Sequence, residues 1–244
     1  MIKIRAFRAI DDLETCKKFI HGHRHVLENI GVMKVTSSKD EWAQNPAAFV
    51  IIVESPDGEK IYGGARVHVA GGTQKLPIEE ATGYMDASIY DIVKEHAVYG
   101  TGEICGLWNS REVAGMGIGS VFLTRACVII ASQIGLRTLF ALCAPYTVKM
   151  AENVGYHILR NVGNEGTFYY PKLDLVATAM LLEDVDTLKL AEPEERDSIL
   201  SIRKELSQVR TETLRKKEIV LDYQLQIPNI EAWFATGIIQ NPQR

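Results

Sequence analysis

The chain has 244 residues, 46% of them hydrophobic and 24% charged, with a net charge of −4. That length holds one large domain, or one domain with an extension, at ordinary globular composition. The mildly acidic balance disfavours nucleic acid and anionic membrane surfaces as partners. The N-terminus has no apolar signal core, and the apolar run Val121 to Ile134 is interrupted by Arg125 and too short to span a bilayer. Cys16, Cys105, Cys127 and Cys143 are scattered among apolar residues without zinc spacing. Buried reduced thiols in a cytoplasmic protein with no metal are the expectation.

Met1 to Ala9 alternates apolar and basic residues, which predicts an edge-facing first strand. Asp11 or Asp12 can cap a helix through Leu13, Phe19 and Ile20. On that helix His21 and His25 are four residues apart and share a face. A solvated or substrate-facing histidine cluster is expected there, with a metal pair as the lesser alternative. Ala47 to Glu54 reads as a central strand, Ser55-Pro56-Asp57-Gly58 as a turn and Lys60 to Ala70 as the antiparallel return. Gly63-Gly64 inside the return predicts a bulge or a close backbone approach. Arg66, His68 and Ala70 share one face, either as a surface Arg–His pair or as a contact for a substrate carboxylate. A helix is predicted near Met85 to Lys94.

Next comes a short apolar strand within Thr101 to Asn109, then Ala114-Gly115-Met116-Gly117-Ile118-Gly119-Ser120 at the mouth of a long apolar helix. Arg137 to Cys143 is a second buried strand, and Pro145 suits the first turn of a helix through Val154. Tyr156 to Val162 and Thr167 to Leu182 are read as further strands, the latter interrupted by Pro171. The fold class is therefore α/β, a mixed and largely antiparallel central sheet flanked by helices. The composition changes after Leu182, so residues 1–182 are read as the main domain and 183–244 as a C-terminal helical extension. Ile199, Ile202, Leu206 and Val209 form an a/d pattern, expected to pack on the chain's own domain, with homodimerisation as the alternative. Trp233, Phe234, Ile238 and Ile239 make an apolar tail that must be buried.

Alternating glycines where a helix begins let backbone N–H groups approach an anion with no Cβ in the way, and the helix dipole favours a phosphate there. The run from Ala114 to Gly119 resembles the acyl-CoA pyrophosphate loop of the GNAT superfamily of N-acetyltransferases. Glu103 to Asn109 resembles that superfamily's fourth strand, and Asn153-Val154-Gly155-Tyr156 its closing Gly-Phe motif. The resemblance covers residues 1–182. It implies an acyl-CoA co-substrate, acetyl-CoA foremost, held by Gly115, Met116, Gly117, Ile118, Gly119 and Ser120. Leu107, Trp108 and Asn109 would run beside the pantetheine. The usual leading Arg or Gln is Ala114 here, and Arg111 is the candidate substitute.

Glu103 is the sole acid on the strand. A carboxylate in a low dielectric has a raised pKa and can serve as general base for an amine. The superfamily's usual acid, a tyrosine, falls at Ala151, which leaves Tyr146 as the alternative. Glu-Ile-Cys-Gly-Leu at 103–107, Arg24-His25-Val26-Leu27 and Gly-Gly-Ala-Arg at 63–66 are similar to the acyl-homoserine-lactone and N-acyl amino acid synthase branch. That similarity implies substrate contacts at Arg24 and Arg66. The expected activity is acetyl transfer to a primary amine of a small molecule or amino acid. Transfer of a longer chain from acyl-CoA or acyl carrier protein, and a non-enzymatic acyl-CoA-binding module, are the alternatives.

Overall fold

A computed structural model describes residues 1–29, 31, 39–214 and 216–240. Its described residues form one ten-stranded sheet. The strands are β1 (Ile2–Arg8), β2 (Ala48–Glu54), β3 (Ile61–Val69), β4 (Thr101–Asn109), β5 (Thr138–Cys143), β6 (His157–Ile158), β7 (Thr167–Tyr169), β8 (Val176–Leu182), β9 (Ser207–Leu214) and β10 (Lys217–Gln224). Their order is β6-β8-β5-β4-β3-β2-β1-β10-β9, with β7 paired to β8. The β4–β5 and β1–β10 pairs are parallel and the others antiparallel.

The helices are α1 (Leu13–Asn29), α2 (Pro77–Thr82), α3 (Ser88–Ala97), α4 (Leu123–Gln133), α5 (Pro145–Asn153), α6 (Pro193–Lys204) and α7 (Ile230–Phe234). Every residue of α4 from Leu123 to Ala131 is buried, because the helix lies between the sheet and α6. Its one cation there, Arg125, is bonded to Glu195 of α6 and Glu212 of β9, each at 3.0 Å. A buried charge is tolerated when it is paired in this way. The opposite face of the sheet carries α1, and Phe19 and Cys16 from it pack with Val50, Ile52, Trp42 and Trp108.

Four expectations change. β1 is interior, between β2 and β10, because a C-terminal strand covers its free edge. The strand foreseen at Tyr156 to Val162 shrinks to β6, and the run from Thr167 to Leu182 is split into β7 and β8 around Pro171. The C-terminal helix is present as α6 but ends at Lys204, so Leu206 and Val209 lie beyond it. From Ser207 a period of two replaces the helical one: Gln208, Arg210, Glu212 and Leu214 are less exposed than their neighbours, and Leu221 and Tyr223 are buried. The apolar tail is covered as expected. Trp233 is fully buried, stacks edge-on against Phe49 and donates its indole N–H to the Ile134 carbonyl at 3.0 Å.

Candidate active site

Each glycine of the turn before α4 has its own reason. Gly115 and Gly117 adopt φ of +76° and +74°, a left-handed conformation that a Cβ disfavours. A Cβ built on Gly119 would lie 1.9 Å from Cβ of Asn109, so the helix start can touch the end of β4 only without one. At Gly117 the same atom would lie 2.0 Å from Leu214, at the tip of the β9–β10 hairpin. The turn leads into one π-helical turn, Ile118–Phe122, continuous with α4. The first N–H groups of such a helix have no carbonyl four residues back. Arg111 is exposed in the 3-10 turn between β4 and the glycines, while Met116 is packed against the core.

β4 is not regular. Cys105 pairs with Arg66 and Trp108 with Gly64, so β4 spends one residue more than β3 across this interval. The extra residue falls beside Gly106, whose φ is +59°. The bulge puts Trp108 on the same face as Glu103 and Cys105, against Phe19, and leaves Leu107 and Asn109 on the α4 face. A regular strand would have put Glu103, Cys105, Leu107 and Asn109 together.

On the α1 face the sheet carries a buried polar cluster. Arg66 is fully buried and its guanidinium lies 4.2 Å from the Trp42 ring centroid and 5.7 Å from that of Phe19. It is not the surface residue of an Arg–His pair. His68 is 4% exposed and pairs across the ladder with Glu103. Burial pushes the Glu103 carboxyl up to about 8 against the opposing pull of the Ile78 N–H, which donates to it at 2.7 Å, and of Arg66. The same burial, reinforced by Arg66, holds His68 well below the usual histidine range and brings His23 down to about 3.

A narrow pocket opens onto this cluster. Trp42, Arg66, His68 and Pro77 line it, and the Lys39–Glu80 ion pair at 2.8 Å contributes both partners to its wall. Of the residues expected to act, Arg66 and Glu103 are brought together. Arg24 is on the exposed side of α1, as are His21 and His25, and Tyr146 is 85% exposed in the first turn of α5. His23, Trp42 and the full burial of His68 are beyond the sequence reading. Only the alternation Arg66-Val67-His68-Val69 hinted at His68. Trp42 arrives from a short 3-10 turn that no periodicity marks. Among the described residues there is no group of His, Cys, Asp and Glu suited to a metal.

Neither a family model nor a curated protein sequence matches the chain. Solved structures do. The N-acyl amino acid synthase FeeM, from uncultured soil microbes, is similar with a TM-score of 0.53 at 15% identity, over 75% of this chain and 92% of its own. The fold is GNAT-like. The CoA-dependent acyl-homoserine lactone synthase BjaI, solved with SAM and isopentyl-CoA, has the same fold. It is similar with a TM-score of 0.52 at 12% identity, over 88% of this chain and 95% of its own. Within this GNAT-like fold the β4 bulge, the glycine turn and α4 are consecutive. No described helix is long and apolar enough to cross a membrane.

Proposed function

We propose that the chain is an acyl-CoA-dependent N-acyltransferase that moves an acetyl group from acetyl-CoA to the primary amine of a small molecule or amino acid. One arrangement carries the reading: a bulged strand whose next residues are a left-handed glycine turn opening a buried helix. The turn offers unpaired N–H groups to the pyrophosphate, with Arg111 beside it as the missing cation. The bulge at Gly106 frees backbone N–H groups of β4 from the ladder, where one can meet a thioester oxygen. Attack by an uncharged amine forms the C–N bond, breaks the C–S bond and releases coenzyme A as thiolate. The amine's proton passes to a base, a role assigned to Glu103. Arg66 receives a carboxylate of the acceptor, Arg24 is assigned a further substrate contact and Tyr146 the role of general acid.

A second reading, transfer of a longer acyl chain from acyl-CoA or acyl carrier protein, is supported by the synthase activities of FeeM and BjaI. Thermal shift against acetyl-CoA, a long-chain acyl-CoA and acylated carrier protein separates the two, since a ligand of the native state raises the melting temperature. Stabilisation by acetyl-CoA with release of free thiol in the presence of an amine supports the first. Stabilisation by a long-chain donor alone supports the second. No response to any donor rejects both.

A further inference from the structure

β10 covers β1, but its own hairpin partner ends the sheet, and no described strand pairs with the far side of β9. One bond fixes which groups of β9 face outward. The Leu225 N–H donates to the Leu206 carbonyl at 2.8 Å, in the same register that sets Gln208 opposite Tyr223. Backbone groups alternate in direction along an antiparallel strand. Those of Gln208, Arg210, Glu212 and Leu214 therefore point at β10, and those of Val209, Thr211 and Thr213 point away from it. Among the described residues no hydrogen bond reaches these outward groups. Edge strands are commonly guarded by shortness, lysine, proline or a bulge. β9 has eight residues, contains neither lysine nor proline, and pairs with β10 without a register shift. Arg210 and Glu212 share its α4 face, where Glu212 bonds to Arg125, while Val209, 61% exposed, Thr211 and Thr213 share the other.

We propose that β9 pairs antiparallel with β9 of a second copy of this chain, about a two-fold axis through Thr211, so that two sheets become one. Side chains of the same face lie opposite each other in such a pair, which leaves two registers near the middle of the strand. One is centred on Arg210 and sets the two Arg210 side chains against each other. The other is centred on Thr211. It places Arg210 of each copy opposite Glu212 of the other, Val209 opposite Thr213, and Thr211 opposite itself. Opposite charges and β-branched pairs across a ladder stabilise it, and like charges destabilise it. The second register also joins the outward groups of Val209, Thr211 and Thr213 to one another. The strand thus complements itself, which a two-fold interface requires. Self-association belongs to this edge and not to α6, because Ile199 and Ile202 of the helical stripe are already spent in the chain's own core.

The test is sedimentation equilibrium of the full chain over a wide range of concentration. The wild type should approach the mass of two copies as concentration rises. Thr211→Pro should stay monomeric throughout. Its N–H faces away from β10, so proline removes a bond at the centre of the interface and none within the chain. Thr211→Lys, which sets two ammonium groups opposite each other and keeps the backbone intact, should weaken association roughly fivefold. Cysteine variants read the register. Cys16, Cys105, Cys127 and Cys143 are all buried, so an introduced surface thiol is the one available to a mild oxidant. Thr211→Cys should link to its own copy, because the Cα separation of a hydrogen-bonded pair, about 5.5 Å, suits a disulfide. Val209→Cys, which faces Thr213, should not. A wild type that remains monomeric overturns the proposal, as does a dimer unaffected by both Thr211→Pro and Thr211→Lys. Linking through Val209→Cys and not through Thr211→Cys overturns the pairing about Thr211.

Discussion

The guanidinium of Arg66 lies against the bare Cα of Gly106, and a Cβ built on that glycine would sit 2.7 Å from Nη2 and 2.9 Å from Nε. The bulge and the buried cation therefore depend on each other. Gly106 takes its positive φ without strain and in the same place leaves room for Arg66. Gly106→Ala should cost roughly 1–3 kcal/mol in stability, from the left-handed backbone and the clash together. It should also weaken acceptor use, with coenzyme A binding retained. Urea unfolding and calorimetric titration of coenzyme A check both halves. An unchanged unfolding midpoint would show that the two residues are independent.

Glu103 and His23 make stability depend on pH in opposite directions. The Glu103 carboxyl sits at about 8 in the fold against an ordinary value of 4.5. The native state holds that proton more tightly than the unfolded chain, so stability falls as pH rises between these values. His23 sits at about 3 against 6.5, so the unfolded chain binds the extra proton and stability falls as pH drops through that window. Glu103→Gln should flatten the alkaline decline and leave the acid one. Urea midpoints taken from about pH 5 to about pH 9 measure this, and a Gln variant with the wild-type alkaline slope refutes the assignment.

The same carboxyl predicts a kinetic signature. If Glu103 takes the amine proton, kcat/KM of the wild type should rise as pH passes through about 8. Glu103→Gln should lower it by about 10²-fold at neutral pH, with donor binding nearly intact. The deficit should shrink at higher pH, where the amine deprotonates unaided. Superimposable pH–rate profiles would remove Glu103 from the mechanism.

Gly117→Val should abolish coenzyme A binding and loosen the C-terminal hairpin at once. A side chain there meets an unfavourable φ of +74° and, at 2.0 Å, the side chain of Leu214. Adding Leu214→Ala removes the second obstacle only. The double variant should regain stability over Gly117→Val while still failing to bind coenzyme A. Recovery of binding in the double variant would place the anion elsewhere.

The segment after Leu182 should prove inseparable from the rest. It supplies Ile199 and Ile202 to the α4 side of the core, β10 to the sheet and Trp233 to a fully buried contact with Phe49. Trp233→Ala should cost about 3–5 kcal/mol in a urea titration. A chain truncated at Leu182 should be insoluble. A soluble truncated chain with wild-type stability would contradict this packing.

Much of this was legible from residue patterns because the pattern was local. The continuous apolar run at β2, the glycine turn before α4 and the proline opening α5 each announced their element. Ile199 and Ile202 announced α6, but Leu206 and Val209 continued its spacing by coincidence while the β-branched alternation after Ser207 favoured a strand. The interior position of β1 was not legible at all, since it depends on a partner from the far end of the chain. In the site, Glu103 stood out as the sole acid of an apolar strand. The pocket beside it joins Arg66 and His68 of β3 to Trp42 from a separate turn, and such a meeting leaves no spacing to count.

The parallel register of Ile2 with Leu221 and Arg5 with Gln224 has a consequence for how the protein is made. During synthesis β1 waits for a strand that follows about 220 residues later in the chain. Until then the nascent sheet carries an open edge of unpaired N–H and C=O groups, ready to join another strand. A contact this distant in sequence is slow to form, because the loop closure must precede any reward from pairing. Lys3 and Arg5, both on this strand and both drawn to Glu54 of β2, are well placed to discourage foreign strands during that interval. The β9–β10 hairpin thus acts as a latch: once it closes, β1 is no longer an edge and the sheet ends instead at β9.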